Sequence, residues 1–239
     1  MKMRLKINGI LLAASFMLII LFPAVFLRKS SVAPWDASVE MLGMALIIFG
    51  QILRASSRGY KSERSLNGHL LISSGPYALV RNPMYLGIFL IGLGIVLMLF
   101  NWWVTLVFLC VFIWRYTSLI FKEERKLLLM FPSAYPDYAK KVPRLLPSFA
   151  SIFKKDIAGI LPLKLPWLKK ETGPILVILF IVIFLESRED LKTIGIKIYA
   201  RESLLFLAVI TFFVFLSFYL IDRTNSQQKD ASNKGKADL

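Results

Sequence analysis

The chain has 239 residues, 56% apolar and 19% charged, with a mean hydropathy of +0.63. Soluble domains run at about 45–50% apolar and about 25% charged, so these figures exclude an ordinary soluble globule. Thirty Lys and Arg against fifteen Asp and Glu leave a net charge of +15, while one Cys and one His exclude a disulfide framework, a Cys-based zinc site and a multi-histidine metal centre.

Crossing a bilayer as a helix takes about 20 apolar residues. Ile7 to Leu27 is the first run of that length. It follows Lys2, Arg4 and Lys6 like a signal peptide, but no small-residue cleavage site comes after it, so a retained first helix is expected. Val39 to Leu53 predicts a second, shorter helix. Met84 to Phe121 is uncharged except for Arg115 and too long for one crossing, which predicts a helical hairpin turning near Asn101. Ser203 to Ile221 is another full-length run, and Pro174 to Leu185 is short enough to be tilted, buried or interfacial. The expected fold is all-α: a polytopic transmembrane helical bundle of about five or six membrane helices. Residues 1–55 would hold the N-terminal helices, 56–147 the core with the hairpin, and 148–222 an extension with one or two more helices. The tail 223–239 is polar and free of aromatics, which predicts disorder.

Smaller features fall within this frame. Asp156 to Lys170 reads as a surface-lying amphipathic piece or a linker. Cys110 lies among Leu, Val and Phe and is expected to be packed. Gly92 and Gly94 predict close helix approach, although their spacing is not the four-residue motif.

Cations near helix ends mark the cytoplasmic side. The basic N-terminus, the set Arg54, Arg58, Lys61, Arg64 and Arg81, and the set Lys122, Arg125, Lys126, Lys140, Lys141, Arg144, Lys154 and Lys155 place the N-terminus and both flanks of the hairpin there. Arg28 and Lys29 fall in the opposite loop. Because the cations alternate with spans and form no continuous patch, nucleic acid is not the expected partner; membrane lipid is.

Polar residues gather beside the membrane helices in two stretches, on either side of the hairpin. The first runs from His69 through Gly75-Pro76-Tyr77 to Arg81-Asn82-Pro83-Met84-Tyr85-Leu86-Gly87. Gly75-Pro76 is a turn signal, and Asn82-Pro83 predicts a helix N-cap with proline at the first helical position. Tyr77 and Tyr85 also sit where an aromatic belt would anchor at the interface. The second stretch opens with Glu123-Glu124 inside a helix expected to run on through Met130, at membrane level, where carboxylates need a cationic or hydroxyl partner.

Gly-Pro-Tyr, four residues, Asn-Pro-Met-Tyr-x-Gly, a hydrophobic hairpin, Glu-Glu and Tyr135-x-x-Tyr138-x-x-x-Val142-Pro143 together resemble the isoprenylcysteine carboxyl methyltransferase and phospholipid methyltransferase superfamily of integral membrane enzymes. The resemblance covers His69 to Pro147, about a third of the chain. It implies S-adenosylmethionine as cofactor, held on the cytoplasmic side by His69, Leu70, Leu71, Ile72, Tyr77, Asn82, Pro83, Met84, Tyr85 and Glu123, with Glu124 completing an acidic pair that serves catalysis with Glu123. It also implies a lipophilic or lipidated methyl acceptor. Two departures bear on the substrate. Asn82 stands where the carboxyl methyltransferases have His and is the residue that the phospholipid enzymes commonly carry, and Lys141 replaces Arg before Val-Pro, keeping the charge but losing the bidentate fork. A substrate-contacting arginine of those enzymes corresponds to Leu119, so Arg115, one turn back, and Lys141 become the substrate-binding candidates. Oligomeric state is not legible.

Two rivals remain. Membrane sterol reductases share an Arg-x-Pro-x-Tyr segment but bind NADPH, whose 2′-phosphate two carboxylates would repel. The other is a non-enzymatic scaffold with a degenerate site, its basic loops on anionic lipid.

Overall fold

The computed structural model describes residues 17–19, 21–28, 34–65, 70–147, 157–171, 173, 204, 208 and 210–227. The expectations for most of the first helix, for His69, for Pro174 to Leu185, for the start of the last helix and for 228–239 fall outside them. All regular elements among the described residues are helical, with one isolated bridge, Leu27 to Phe100. The principal helices are α1 (Pro34–Arg64), α2 (Pro83–Leu99), α3 (Trp102–Met130) and α4 (Ala134–Lys141).

α1 is much longer than the apolar run Val39 to Leu53. Asp36 occupies its first turn and Lys61 and Arg64 its last, the distribution a helix dipole favours. At 1.5 Å per residue its 31 residues span about 46 Å. Hydrocarbon is about 30 Å thick, so the basic turns after Leu53, beyond the run predicted as helical, continue the helix past it. α1 and α3 are long and apolar enough to cross a membrane, while α2 is a shorter apolar helix of 17 residues.

In lipid, helices associate through close packing, because neighbouring acyl chains are as apolar as the side chains themselves. α1 and α2 achieve it with glycines seven residues apart on each helix. Gly50 meets Gly87, and Gly43 meets Gly94: a Cβ on Gly50 would lie 2.7 Å from the Gly87 carbonyl oxygen, and one on Gly43 would lie 2.9 Å from that of Gly94. Gly92, grouped with Gly94 in sequence, faces the other way and receives the Phe108 ring of α3. Met44, Ile47, Met98 and Leu99 close the α1–α2 seam.

α2 and α3 form the expected hairpin. Phe100 and Asn101 make the turn, and Phe89 meets Phe112 while Tyr85 meets Tyr116, the pairing of antiparallel neighbours. The outer side of α3 is covered by no other described element: Trp114 is 78% and Trp102 75% exposed. An apolar surface of this extent is what a lipid-facing helix requires. Cys110 lies on that exposed side, a correction to its expected packing, because the α2 contact takes only one stripe of α3.

The bundle has two chemically different ends. At one, Asn101 N donates to Phe26 O (3.0 Å), Arg28 N donates to Leu99 O (3.0 Å) and Arg28 pairs with Asp36. At the other end are Lys61, Arg64, Arg81, Lys126 and Arg144.

Residues 157–171 are neither a surface piece nor a free linker. Leu163 is fully buried, Ser56 Oγ donates to Pro162 O (2.5 Å), Trp167 Nε1 donates to Glu63 (2.8 Å) and Arg58 Nη1 pairs with Glu171 at 2.7 Å. The helix 210–227 packs Phe213 and Leu220 into the same core, and Leu163 N donates to Thr224 Oγ1 (3.1 Å). Its last five residues, 223–227, are thus helical where composition predicts disorder, because Thr224 is anchored to the 157–171 segment.

Substituting Gly50→Ala is expected to lower stability by about 1–3 kcal/mol, the usual effect of overpacking. Gly159→Ala, where a Cβ meets nothing within 4 Å, is expected to be neutral. Thermal denaturation of the two variants in detergent checks this, and equal midpoints would show that the α1–α2 approach is slack.

Candidate functional site

The loop before α2 is shaped on α1. Gly75 has φ +61, a conformation that glycine adopts without steric cost, and it sits against the Tyr60 ring, where a Cβ would come within 2.8 Å. Tyr60 OH and Ser74 Oγ share a hydrogen bond of 2.8 Å. The expected turn is therefore a short 3-10 helix, Gly75–Ala78. Pro83 opens α2 as expected, but Asn82 makes no side-chain cap. Its Nδ2 donates to Arg144 O (3.2 Å), and its own N–H also donates to that oxygen (3.1 Å). Arg81 N donates to Pro143 O (2.8 Å), so the segment after α4 is laced onto the start of α2.

Glu123 and Glu124 are neighbours on α3, and successive helical residues point about 100° apart. They consequently have different surroundings. Glu123 accepts a hydrogen bond from Tyr85 OH at 2.6 Å. Glu124 is buried and faces the opposite group: Arg81 Nη1 at 3.2 Å and Arg144 Nε at 3.0 Å. Arg144 also lies over the Phe121 ring, 4.5 Å from its centroid. Arg81 Nη1 donates to Tyr135 OH (3.3 Å), and Tyr138 OH donates to Tyr77 O (2.7 Å), so α4 holds the turn from both ends.

Between these elements lies a cavity of about 360 Å³. Its walls are Leu70, Leu71, Ile72, Tyr77, Arg81 and Asn82 to Tyr85 from the loop and α2, then Glu123, Lys126, Leu127, Met130 and Phe131 from α3 and its end, with Lys61, Ser65 and Tyr138. Of the residues singled out in sequence, Leu70, Leu71, Ile72, Tyr77, Asn82, Pro83, Met84, Tyr85 and Glu123 meet in this one space. Glu124, Arg115 and Lys141 are not among its lining residues. Arg115 is exposed on α3, one residue from the Tyr116 stripe that faces α2, and Lys141 is exposed at the end of α4. The acidic pair is thus divided, and Glu124's charge is taken up by two guanidinium groups.

Sequence reading missed Lys126, Leu127, Met130 and Phe131. They follow Glu123 by three, four, seven and eight residues, the helical spacing of one face, so the signal was present. Nothing local signals Lys61, Ser65 or Arg144, which arrive by tertiary packing.

Burial, and then the Glu123 carboxylate, raise the pKa of the Tyr77 phenol. Burial, and then Tyr77, do the same for Tyr138. Both stay neutral hydrogen-bonding groups at physiological pH.

Residues 39–134 match the phospholipid methyltransferase family model. The chain is 37% identical over 114 residues to the protein-S-isoprenylcysteine O-methyltransferase of Schizosaccharomyces pombe, covering 44% of this chain and 48% of that one. To the mouse (Mus musculus) protein of the same name it is 33% identical, over 44% of this chain and 40% of that one. To the cobalt-zinc-cadmium resistance protein CzcN of Cupriavidus metallidurans it is 34% identical, over 48% and 51%. The chain thus spans about half the length, or less, of these relatives. No solved structure matches it. The likeness to the phospholipid methyltransferase family model lies in residues 39–134, about two fifths of the chain.

Glu124→Gln is expected to lower stability by about 2 kcal/mol, as Arg81 and Arg144 lose their counter-charge; Arg144 is half exposed, so the loss falls below that of a fully buried pair. Chemical denaturation reads it out, and an unchanged midpoint would refute the clamp. The raised phenols give a second expectation. The folded state holds these protons more tightly than the unfolded chain, so their stabilisation is complete below the ordinary tyrosine value of 10.0 and is lost as pH rises past it. Melting temperature should fall above pH 10, with a shallower slope in Tyr138→Phe.

Proposed function

We propose that the chain is an integral membrane S-adenosylmethionine-dependent methyltransferase acting on a lipophilic acceptor, a lipid amine or an isoprenylcysteine-like carboxylate. The observation that carries this reading is the Tyr85–Glu123 pair in the wall of a cavity of about 360 Å³ within the methyltransferase-like segment. That volume is in the range of small-molecule sites.

The donor set suits a zwitterionic cofactor. Glu123 accepts hydrogen bonds from an ammonium or ribose hydroxyls, and Lys61 and Lys126 offer cations to a carboxylate. The aromatic faces of Tyr77 and Tyr85 favour a neighbouring sulfonium. When bound, S-adenosylmethionine supplies a methyl group on a sulfonium that is already a good leaving group. The protein's own work is then alignment and exclusion of water, and no nucleophilic side chain is needed. An amine acceptor must first lose a proton, and Glu123 is the base within the cavity. We assign Glu124 to positioning: its ion pairs hold the loop and the segment after α4 in register. Arg115 and Lys141, exposed beyond the cavity wall, are proposed to meet the acceptor as it approaches. The basic end of the bundle is assigned to the cytoplasm by the positive-inside rule, with the cofactor entering there and the acceptor laterally from the bilayer.

The nicotinamide alternative gains nothing from the relatives, two of which carry the name O-methyltransferase. Glu123→Gln is expected to weaken S-adenosylmethionine binding by tenfold or more, the effect of losing a charged hydrogen bond. Isothermal titration on the purified protein checks it, with NADPH as comparison. Full affinity in the variant, or NADPH binding in its place, would overturn the assignment. Incubating membranes with methyl-labelled cofactor then identifies the acceptor by the lipid fraction that becomes labelled.

A further inference from the structure

Residues 157–171 follow the methyltransferase-like segment 39–134, and none of them lines the cavity that contains Glu123. They nevertheless bear on two of the elements that wall it. The first is the turn Gly75–Ala78, which carries Tyr77. The short helix Ile157–Ile160 packs against that turn, and Ile160, Leu161 and Leu163 share one buried core with Leu79 and Val80 just after it. The second is the end of α1, which carries Lys61 and Ser65. Ser56, Gly59 and Glu63 recur there at the three- and four-residue spacing of one helical face, and 157–171 occupies that face.

Trp167 is the centre of this second contact. It is 5% exposed, and its ring lies so close to the α1 backbone that a Cβ on Gly59 would fall 2.1 Å from it. Its Nε1 donates to Glu63 Oε1 (2.8 Å), while Lys164 Nζ pairs with Glu63 Oε2 (2.5 Å) and stands 5.2 Å from the Trp167 ring centroid. Tyr60, next to Gly59, supplies the ring on which Gly75 sits and the hydroxyl that bonds Ser74, and Lys61 comes one residue later. A rotation of α1 at Gly59 therefore moves both the seat of the turn and one cation of the cavity wall. Helix ends fray, and Arg54, Arg58, Lys61 and Arg64, three or four residues apart, repel one another along this one. Trp167 opposes that loosening with apolar burial and a hydrogen bond, and Glu171 opposes it with charge on Arg54 and Arg58.

We propose that Trp167 is a positioning residue for the cavity that contains Glu123, where S-adenosylmethionine binds on the reading above. Its ring on Gly59 fixes Tyr60 and Lys61, and through Tyr60 it fixes the turn that carries Tyr77. Coupling of this kind is reciprocal, so a ligand in the cavity tightens 157–171 by as much as that segment tightens the ligand.

The test uses the full-length protein in detergent, with hydrogen exchange read by mass spectrometry and affinity by isothermal titration. In unliganded Trp167→Ala, peptides covering 75–80 are expected to exchange roughly tenfold faster than in the parent, while those covering 99–103, at the other end of the bundle, keep the parent's rate. S-adenosylmethionine is expected to bind this variant roughly tenfold more weakly, and Trp167→Phe, which keeps a ring on Gly59, is expected to recover most of the affinity. In the parent, the same ligand is expected to slow exchange across 157–171, which it does not touch. Unchanged exchange at 75–80 in Trp167→Ala would overturn the proposal. An acceleration that extends equally to 99–103 would overturn it too, because it would mark a general stabiliser. So would parental affinity in Trp167→Ala, or a bound ligand that leaves 157–171 unprotected. A parent that binds no S-adenosylmethionine would overturn the cofactor reading, and exchange at 75–80 without ligand would still decide the role of Trp167.

Discussion

The ion cluster of Glu124 with Arg81 and Arg144 joins three parts of the chain that are distant in sequence: α3, the loop before α2 and the segment after α4. At its start the loop Gly75 to Asn82 is held by the hydrogen bond between Ser74 and Tyr60 of α1. At its far end, beside the ion cluster, Arg81 and Asn82 bond backbone to backbone with Pro143 and Arg144, and Tyr138 reaches Tyr77. The cavity wall is therefore a tied structure rather than a free loop. The charges that tie it are partly buried, so removing one of them would leave its partner uncompensated.

Helix pitch gives one dipeptide two environments. Two adjacent carboxylates on α3 diverge by about 100°, so one faces the cavity and the other the clamp. Glu123 is left with a hydroxyl partner, which a ligand can compete with or extend. Glu124 is held by two guanidinium groups, which a ligand cannot easily displace. The same division of labour follows along the hairpin: the Tyr116, Phe112 and Phe89 rings occupy the stripe between α2 and α3, while the tryptophans and Cys110 face outward.

Much of this was legible before the structure. The hairpin and its turn at Asn101 follow from an uncharged run too long for one crossing, and the continuation of α3 to Met130 follows from apolar spacing past Glu124. Nine of the ten proposed cofactor contacts converge on one cavity, and the tenth, His69, falls outside the described residues. The length of α1 was not legible, because Arg54, Arg58, Lys61 and Arg64 resemble a loop when a helix is judged by apolar content alone. In the structure they are helical, and Arg54 and Arg58 meet Glu171, far along the chain. The burial of 157–171 was hidden for the same reason: Leu163 and Trp167 are unremarkable in a Pro- and Leu-rich stretch until α1 presents Ser56, Gly59 and Glu63 to them.

The order of residues along the chain already makes it helical and suited to a membrane, with one basic end and with a tyrosine-rich loop and a pair of acids flanking a hairpin. Those properties are local, set by composition, periodicity and the order of a few motifs. Packing sets which acid meets the cavity, which glycines let α1 and α2 touch, that Lys61 lines the cavity and that Arg144 pairs with Glu124. Each of those depends on the direction of a side chain across an interhelical gap of a few ångströms, and that direction is a property of packed pairs of elements rather than of any single segment.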